Sequence, residues 1–425
     1  MEEGPVVPYS VVAKQTESGG NTPHMQLTPR QTLMTMAHVF QQELFPRVEE
    51  ELGPLNRHLE LLSAVLAIVP LGSAQGSRAR LGRPAKDRLA LAAAFLAKAI
   101  LNLATTRDLI ERLRAESGLR RLCGWRSAAK IPHESKFSRA FAEFAASQLP
   151  QQLHAAVIGL TQSGRLVGHI ARDSTAIPVR ERFPEEARTV NKQQQKERQK
   201  KKKKAVHQDS GKRTAGGQRQ AKASERGTRI QRQQFLSLEA MLAELPRGCD
   251  IGVKTSSSGH PHYWRGYKLH LDVADGQIPV SVVLTSASVH DSQVAIPLMK
   301  MTAGRVEYLY ELMDSAYDAD QLLAYSRSKG HVPIVAPHPR RKTRKPSQVP
   351  KVYPPQLGQQ LSWAQQERYK ERTMVERVNG RLKDEFGASQ VRVRGAAKVM
   401  AHLMFGVVAL TVDQWLRIAK PPKET

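Results

Sequence analysis

Near Thr161 the spacing of apolar residues changes, and that change restricts the chain to a helical part followed by a mixed α/β part. From Gln31 to about Pro150 apolar residues recur at helical intervals: Leu44, Val48 and Leu52, then residues 59–69, then an alanine-leucine run after Pro84 and Asp87. Beyond Thr161 the chain offers short runs rich in Val, Ile, Leu and Tyr at 166–179, 267–273, 278–286, 306–313 and 331–336. Asp275-Gly276 marks a turn between two of them. These runs predict five strands in one mixed sheet, three antiparallel and two reached through crossover helices at 291–302 and 319–329. A last long helix is expected to begin near Ser362. The expected organisation is a polar arm over residues 1–30, disordered by composition, a helical domain over 31–160, and an α/β domain over 161–420.

Charge narrows the partners. Lys and Arg number 65 against 39 Asp and Glu, giving a net charge of +26, so an ordinary enzyme of small neutral metabolites is excluded and a polyanion is expected. With 40% hydrophobic residues the chain has material for a core, and a wholly disordered basic protein is excluded as well. In the helical part, predicted helices at 106–121 and 134–146 carry Arg107, Arg112, Arg114, Arg120, Arg121, Arg126, Lys130, Lys136 and Arg139 on or beside them. They read equally as a DNA-recognition module or as the solvated face of a packing or dimerising domain. Residues 182–262 form a basic insertion between the first two strands, and within it 191–232 hold 15 Lys or Arg against 3 acids, including Lys200, Lys201 and Lys202. That stretch is too polar to fold when free and is expected to clamp phosphates nonspecifically, against a solvated insertion or a nuclear-localisation signal as alternatives.

Cys123 and Cys249 lie far apart without a C-x-x-C pair, so reduced, structural thiols of an intracellular protein are expected. The opening MEEGPVVPYS is acidic and lacks an apolar core, and no export signal is expected. The most apolar stretches, 89–104 with Lys98 inside and 399–412 with His402 inside, fall short of the roughly 18 uninterrupted residues that cross a bilayer. Buried helices, and no membrane partner, are expected.

The chemistry gathers at three places. Asp173 in Arg172-Asp173-Ser174-Thr175 and Asp314 in Met313-Asp314-Ser315-Ala316 sit where strands end in polar turns, positions that suit a divalent metal ion and, taken singly, equally suit a turn or cap. The third is a stretch with the spacing Y-x2-R-x3-E-x6-K, formed by Tyr369, Arg372, Glu376 and Lys383. On one continuous helix these four fall within roughly 60° of one another. A solvated charged face is the plain reading of such a stretch. The sharper reading is a face that holds metal and DNA together, with Glu376 completing an Asp, Asp, Glu site and the two bases beside it neutralising phosphate. His290 and Asp291 could reach that site or serve as strand-end hydrogen-bonding residues, and Trp264 and Trp363 could stack on a base or fill a core.

These residues resemble the DDE transposases of bacterial insertion sequences, specifically the class defined by the Y-x2-R-x3-E-x6-K signature, which is matched at all four positions. The stretch Gly266-Tyr267-Lys268-Leu269-His270-Leu271, then Gly276 and Ser288-Val289-His290-Asp291-Ser292, is similar to their second and third strands. Gly82-Arg83-Pro84 with Asp87 resembles their helical N-terminal region. The resemblance implies an RNase H-like catalytic core with Asp173, Asp314 and Glu376 as catalytic metal ligands, the two aspartates meeting on neighbouring strands. It implies two Mg²⁺ ions, with Mn²⁺ as an alternative, running phosphodiester hydrolysis and strand transfer. Tyr369 and Arg372 are then expected to handle the element's end strand and Lys383 to contact phosphate. The implied partners are terminal inverted repeats and target DNA, bound by a homodimer in a synaptic complex, in a bacterial cytoplasm and at the nucleoid. Two alternatives share the sequence features: a metal-dependent nuclease of the same fold, and a domesticated DNA-binding factor. The stretch between the fifth strand and the late helix, 338–361, is short, and the extra residues lie at 182–262 instead.

Overall fold

A computed structural model describes residues 35, 38–72, 87–162, 165–181, 227–255, 260–336 and 361–419. The arm at 1–30, Gly82-Arg83-Pro84, and Lys200, Lys201 and Lys202 with residues 182–226 lie outside the described residues.

Helix starts follow local capping chemistry. After a π-helical turn at Phe40–Leu44, α1 (Phe45–Leu52) and α2 (Arg57–Ile68) are separated by Gly53 at φ 85°, and Asn56 caps α2 by accepting from the N–H groups of His58 and Leu59. Helix α3 (Arg88–Ile100) is the alanine-leucine run, almost wholly buried. The expected helix at 106–121 is two helices, α4 (Thr106–Ala115) and α5 (Ser117–Leu122), because Glu116 leaves helical geometry at φ −101° and ψ 111°. Thr105 and Asp108 form a reciprocal capping box on α4. Helices α6 (Glu134–Ala146) and α7 (Leu149–Gln162) complete the N-terminal part.

The sheet has six strands where five were expected. They are β1 (Leu166–Pro178), β2 (Asp250–Thr255), β3 (Pro261–Ala274), β4 (Ile278–Ser286), β5 (Glu307–Met313) and β6 (Val332–Val335). The added strand β2 carries Gly252, Asp250 and Lys254, which weaken its sequence signal, and it forms because the start of β3 offers a partner. Within the 182–262 insertion lie α8 (Arg229–Gln233), which takes up the last residues of the stretch 191–232 expected not to fold, then α9 (Leu238–Glu244), β2 and the first residues of β3. Strand order is β2-β3-β1-β5-β6, with β4 also paired to β3, so that β2 and β4 follow one another along β3. Strand β3 runs antiparallel to both β1 and β4, whereas β5 runs parallel to β1 and β6 parallel to β5. The two parallel steps pass through α10 (Ala295–Ala303) and α11 (Asp320–Ser328), as the sequence pattern predicts.

Three helices follow the sheet: α12 (Trp363–Lys370), α13 (Thr373–Asp384) and α14 (Ala396–Ala419). Helix α14 packs on α2, α3, α6, α7 and β4, so helical part and sheet share one apolar cluster running from Phe40 to Trp415. Phe405 of α14 stacks on Phe95 of α3 with ring centres 5.8 Å apart. Among the described residues α14 is the one helix long and apolar enough to cross a membrane by length and composition, which corrects the expectation that this stretch falls short. Its most apolar window is 72% buried inside the protein, as suits a core helix.

Candidate active site

Strand β1 is held on both edges, and the register on each edge determines the site. Its first half pairs with β5, ending with Arg172 opposite Met313, and its second half pairs with β3, with Asp173 opposite Leu271. Asp173, still within β1, and Asp314, the first residue after β5, each directly follow the last β1–β5 pair, and the Asp314 charge acts on the Asp173 carboxyl. In-register neighbours project to one face, so the two carboxyls stand together although 141 residues separate them in sequence.

Alternation along β1 sends Arg172 to the other face, where it is wholly buried. Its Nε and Nη2 each donate to Asp272 at 2.7 Å, and Nη2 lies 3.4 Å from Glu311 Oε1. Thr302 donates to Asp272 at 2.7 Å and Tyr308 to Glu311 at 2.7 Å. This network ties β1 to β3 and β5 at the residue before Asp173 and fixes the height at which the acid stands.

Asp314 caps the 3₁₀ turn Ser315–Tyr317, its Oδ1 accepting from the Ala316 N–H at 2.9 Å. Asp314 thus caps the turn, as the cap reading has it, while standing beside Asp173. Burial first, and then the nearby charges of Asp314 and Asp291, lift the Asp173 carboxyl from 3.8 to about 6 against the Ser174 backbone hydrogen bond and Arg372. Asp314 is likewise raised, by burial first and by Asp291, against the Ala316 N–H, Arg372 and Lys254. Asp291 lies at the start of the turn before α10, where Lys268 Nζ donates to it at 3.0 Å and Ser174 hydrogen-bonds to it. His290 caps that same turn through Ser292, the strand-end role weighed for it above.

The signature stretch is not one helix, which corrects the single-helix expectation. Ser362 starts α12 with a capping box to Gln365, and the chain then tightens at Glu371 and Arg372 through bonds three residues back before α13 begins. Tyr369 is therefore on α12, Arg372 at the joint, and Glu376 and Lys383 on α13. Seven residues apart, Glu376 and Lys383 share a face of α13 with Asn379 between them. Asn379 Nδ2 reaches Asp173 Oδ2 at 3.4 Å, an interaction the sequence reading missed although the E-x2-N spacing carried its signal. Arg372 Nη2 donates to Glu376 at 2.6 Å and sits 5.6 Å from the Tyr369 ring centre. Burial and the charge of Lys254 lower the Lys383 ammonium pKa, while Asp173 opposes them.

Among the described residues no three carboxylate, imidazole or thiol groups gather closely enough to hold a metal ion. Asp173 and Asp314 are together, but Glu376 is paired with Arg372 instead of completing the expected triad. The donor chemistry still suits a divalent cation, since two half-buried carboxyls with raised proton affinity face each other and a third stands half-exposed on the adjoining helix. Of the two tryptophans, Trp264 is buried with Nε1 donating to the Tyr267 carbonyl, whereas Trp363 is exposed at the start of α12.

Residues 168–412 match the protein family described as Transposase DDE domain, and residues 42–143 match the one described as Transposase domain (DUF772). No curated protein and no solved structure matches the chain. The first match begins within β1 and runs through the other five strands and α13 into α14.

Proposed function

The chain belongs to the transposase DDE family, whose match covers more than half of it, and from that premise we propose that it cuts the ends of a DNA element and joins them to target DNA. The observation that carries this reading is that Asp173 and Asp314 both stand just past the end of the β1–β5 ladder, with carboxyls already biased toward binding a cation. The strand order, with β1 flanked by an antiparallel β3 and a parallel β5, is consistent with an RNase H-like core. Tyr369, Arg372, Glu376 and Lys383 at their signature spacing support placement in the corresponding class of insertion-sequence transposases.

In this reading Asp173, Asp314 and Glu376 would hold divalent cations, Mg²⁺ or Mn²⁺, for which Glu376 would leave its pairing with Arg372. Bound there, the cations supply activation of the attacking hydroxyl and stabilisation of the leaving 3′ oxygen. The chain's own groups do the positioning. Asn379 orients the Asp173 carboxyl, and the Arg172 network behind it prevents the strand end from shifting. Arg372, once released, and Lys383 neutralise phosphates beside the scissile bond, and Tyr369 offers a ring on which a base of the end strand stacks. The basic stretch holding Lys200, Lys201 and Lys202 adds nonspecific backbone affinity, and the helical part over 31–160 binds DNA or pairs two subunits. Two ends must be held at once, so a homodimer in a synaptic complex is the working assembly.

The test is cleavage of a plasmid carrying the gene with its native flanks, in Mg²⁺, by wild type and Glu376→Ala. Cuts at defined boundaries, joined to new sites and lost in the variant, are expected. Cuts without joining would make the protein a nuclease, and binding of the flanks without cutting by either form would make it a DNA-binding factor.

A further inference from the structure

Strand β2 and the first residues of β3 form a two-stranded ribbon that continues the sheet past the end of β4. Directly opposed residues in an antiparallel pair share a face. Gly252 with Trp264 and Lys254 with His262 make one face, and Ile251 with Arg265 and Val253 with Tyr263 make the other. Ile251, Val253 and Tyr263 are exposed, and Trp264 is buried. The Trp264 ring lies so close to Gly252 that a Cβ there would meet ring carbons at 2.2 Å. The Trp264 face is therefore the one turned to the body of the protein, and Lys254, one alternation further toward the tip, is on that face with its side chain still in solvent.

What lies opposite is the candidate active site. The Lys254 charge acts on the Asp314 carboxyl from the ribbon side and on the Lys383 ammonium of α13. Asp173 and Asp314 form the floor at the strand ends, and α13 lies over β1 and β3. Two ammonium groups thus border the aspartate pair from two different elements, Lys254 beside Asp314 and Lys383 beside Asp173, and their mutual repulsion is relieved by negative charge between them. A phosphodiester entering the cleft would pass between these two ammonium groups, an anion that both can hold.

We propose that Lys254 is a DNA-phosphate ligand, and that the β2–β3 ribbon forms the wall of the DNA groove facing α13, so that Lys254 and Lys383 grip the cut strand from two sides. The inference rests on the reading of Asp173 and Asp314 as the cutting centre. It adds a contact outside the signature stretch and gives the ribbon a role.

The test uses the full chain with a duplex of native flanking sequence, measuring affinity across a salt series and, separately, Mg²⁺-dependent cleavage of the flanked plasmid. Lys254→Ala is expected to reduce the slope of log affinity against log salt by about 0.9, one phosphate contact, and to weaken binding about tenfold at physiological salt. Lys254→Arg is expected to restore the slope, which a merely structural loss in the ribbon would not allow. Wild-type slope, affinity and cleavage in Lys254→Ala would overturn the proposal. If Lys254→Ala loses affinity with an unchanged slope, or Lys254→Arg fails to restore the slope, the residue supports the ribbon instead of holding phosphate, and the proposal falls. Failure of the wild type itself to cut in Mg²⁺ would strike the underlying reading of the aspartate pair, a result distinguishable from failure of the variant comparison alone.

Discussion

Replacing Asp173 by Asn should abolish cleavage and, in the absence of metal, make the protein more stable. Folding places the Asp173 carboxyl in a half-buried position beside Asp314 and Asp291 and carries it from 3.8 to about 6. The folded state therefore holds this proton more tightly than the unfolded state, and the sign follows: stability is lost as pH rises from about 4 to about 6, and the full deficit is present above that. A displacement of that size corresponds to about 3 kcal/mol at neutral pH. Asn has nearly the same shape, can still accept from Asn379 Nδ2, and carries no charge to desolvate or repel. At about 2.1 cal/mol/K of unfolding entropy per residue, a chain of 425 residues should show a thermal midpoint about 3 °C higher for the variant. The assay is thermal unfolding of wild type and Asp173→Asn in EDTA at pH 3.5, 6 and 8, repeated with Mg²⁺ at pH 8. The gain should be absent at pH 3.5 and full at pH 8, and Mg²⁺ should raise the midpoint of the wild type and not of the variant. A variant less stable than wild type at pH 8 in EDTA, or a gain independent of pH, would refute the reasoning that folding raises the proton affinity of the Asp173 carboxyl.

Other outcomes follow from the same structure. Asp314→Asn should eliminate metal-dependent cleavage while leaving affinity for DNA nearly unchanged in a filter-binding or anisotropy assay, and an equal collapse of binding would make the acid structural. Arg172→Met leaves Asp272 and Glu311 buried without their cation and should cost about 3–5 kcal/mol in denaturant unfolding, more than any surface charge removal. Deleting residues 191–226 should flatten the salt dependence of DNA binding by several phosphate contacts, measured as the slope of log affinity against log salt.

Much of the fold was legible because hydrophobic periodicity is a local property. The helical intervals before Thr161, five of the strands, the crossover helices and the start of the last helical region at Ser362 all follow from spacing and caps read a few residues at a time. Strand β2 escaped because Gly252 interrupts its pattern, and it is a strand only because Trp264 and the rest of the β3 start lie alongside to receive it. The break at Glu371–Arg372 escaped for a related reason: every residue there is compatible with helix, and the tightening into two helices is a matter of three-residue hydrogen bonds that composition does not specify.

The sequence by itself determined which residues carry charge and chemistry. Asp173, Asp314 and the signature of Tyr369, Arg372, Glu376 and Lys383 stand out by residue type and interval, and the excess of basic residues points to a polyanion without any fold at all. Only the tertiary structure decided how they meet. The β1–β5 register put two aspartates 141 residues apart onto neighbouring strands, burial raised their proton affinity, and an ion pair with Arg372 kept Glu376 from joining them. It also brought Asn379, Asp291 and Lys254 to the same cleft from a helix, a turn and a ribbon. Residue chemistry is fixed one position at a time, whereas proximity, desolvation and the sum of nearby charges exist only once the chain has closed on itself.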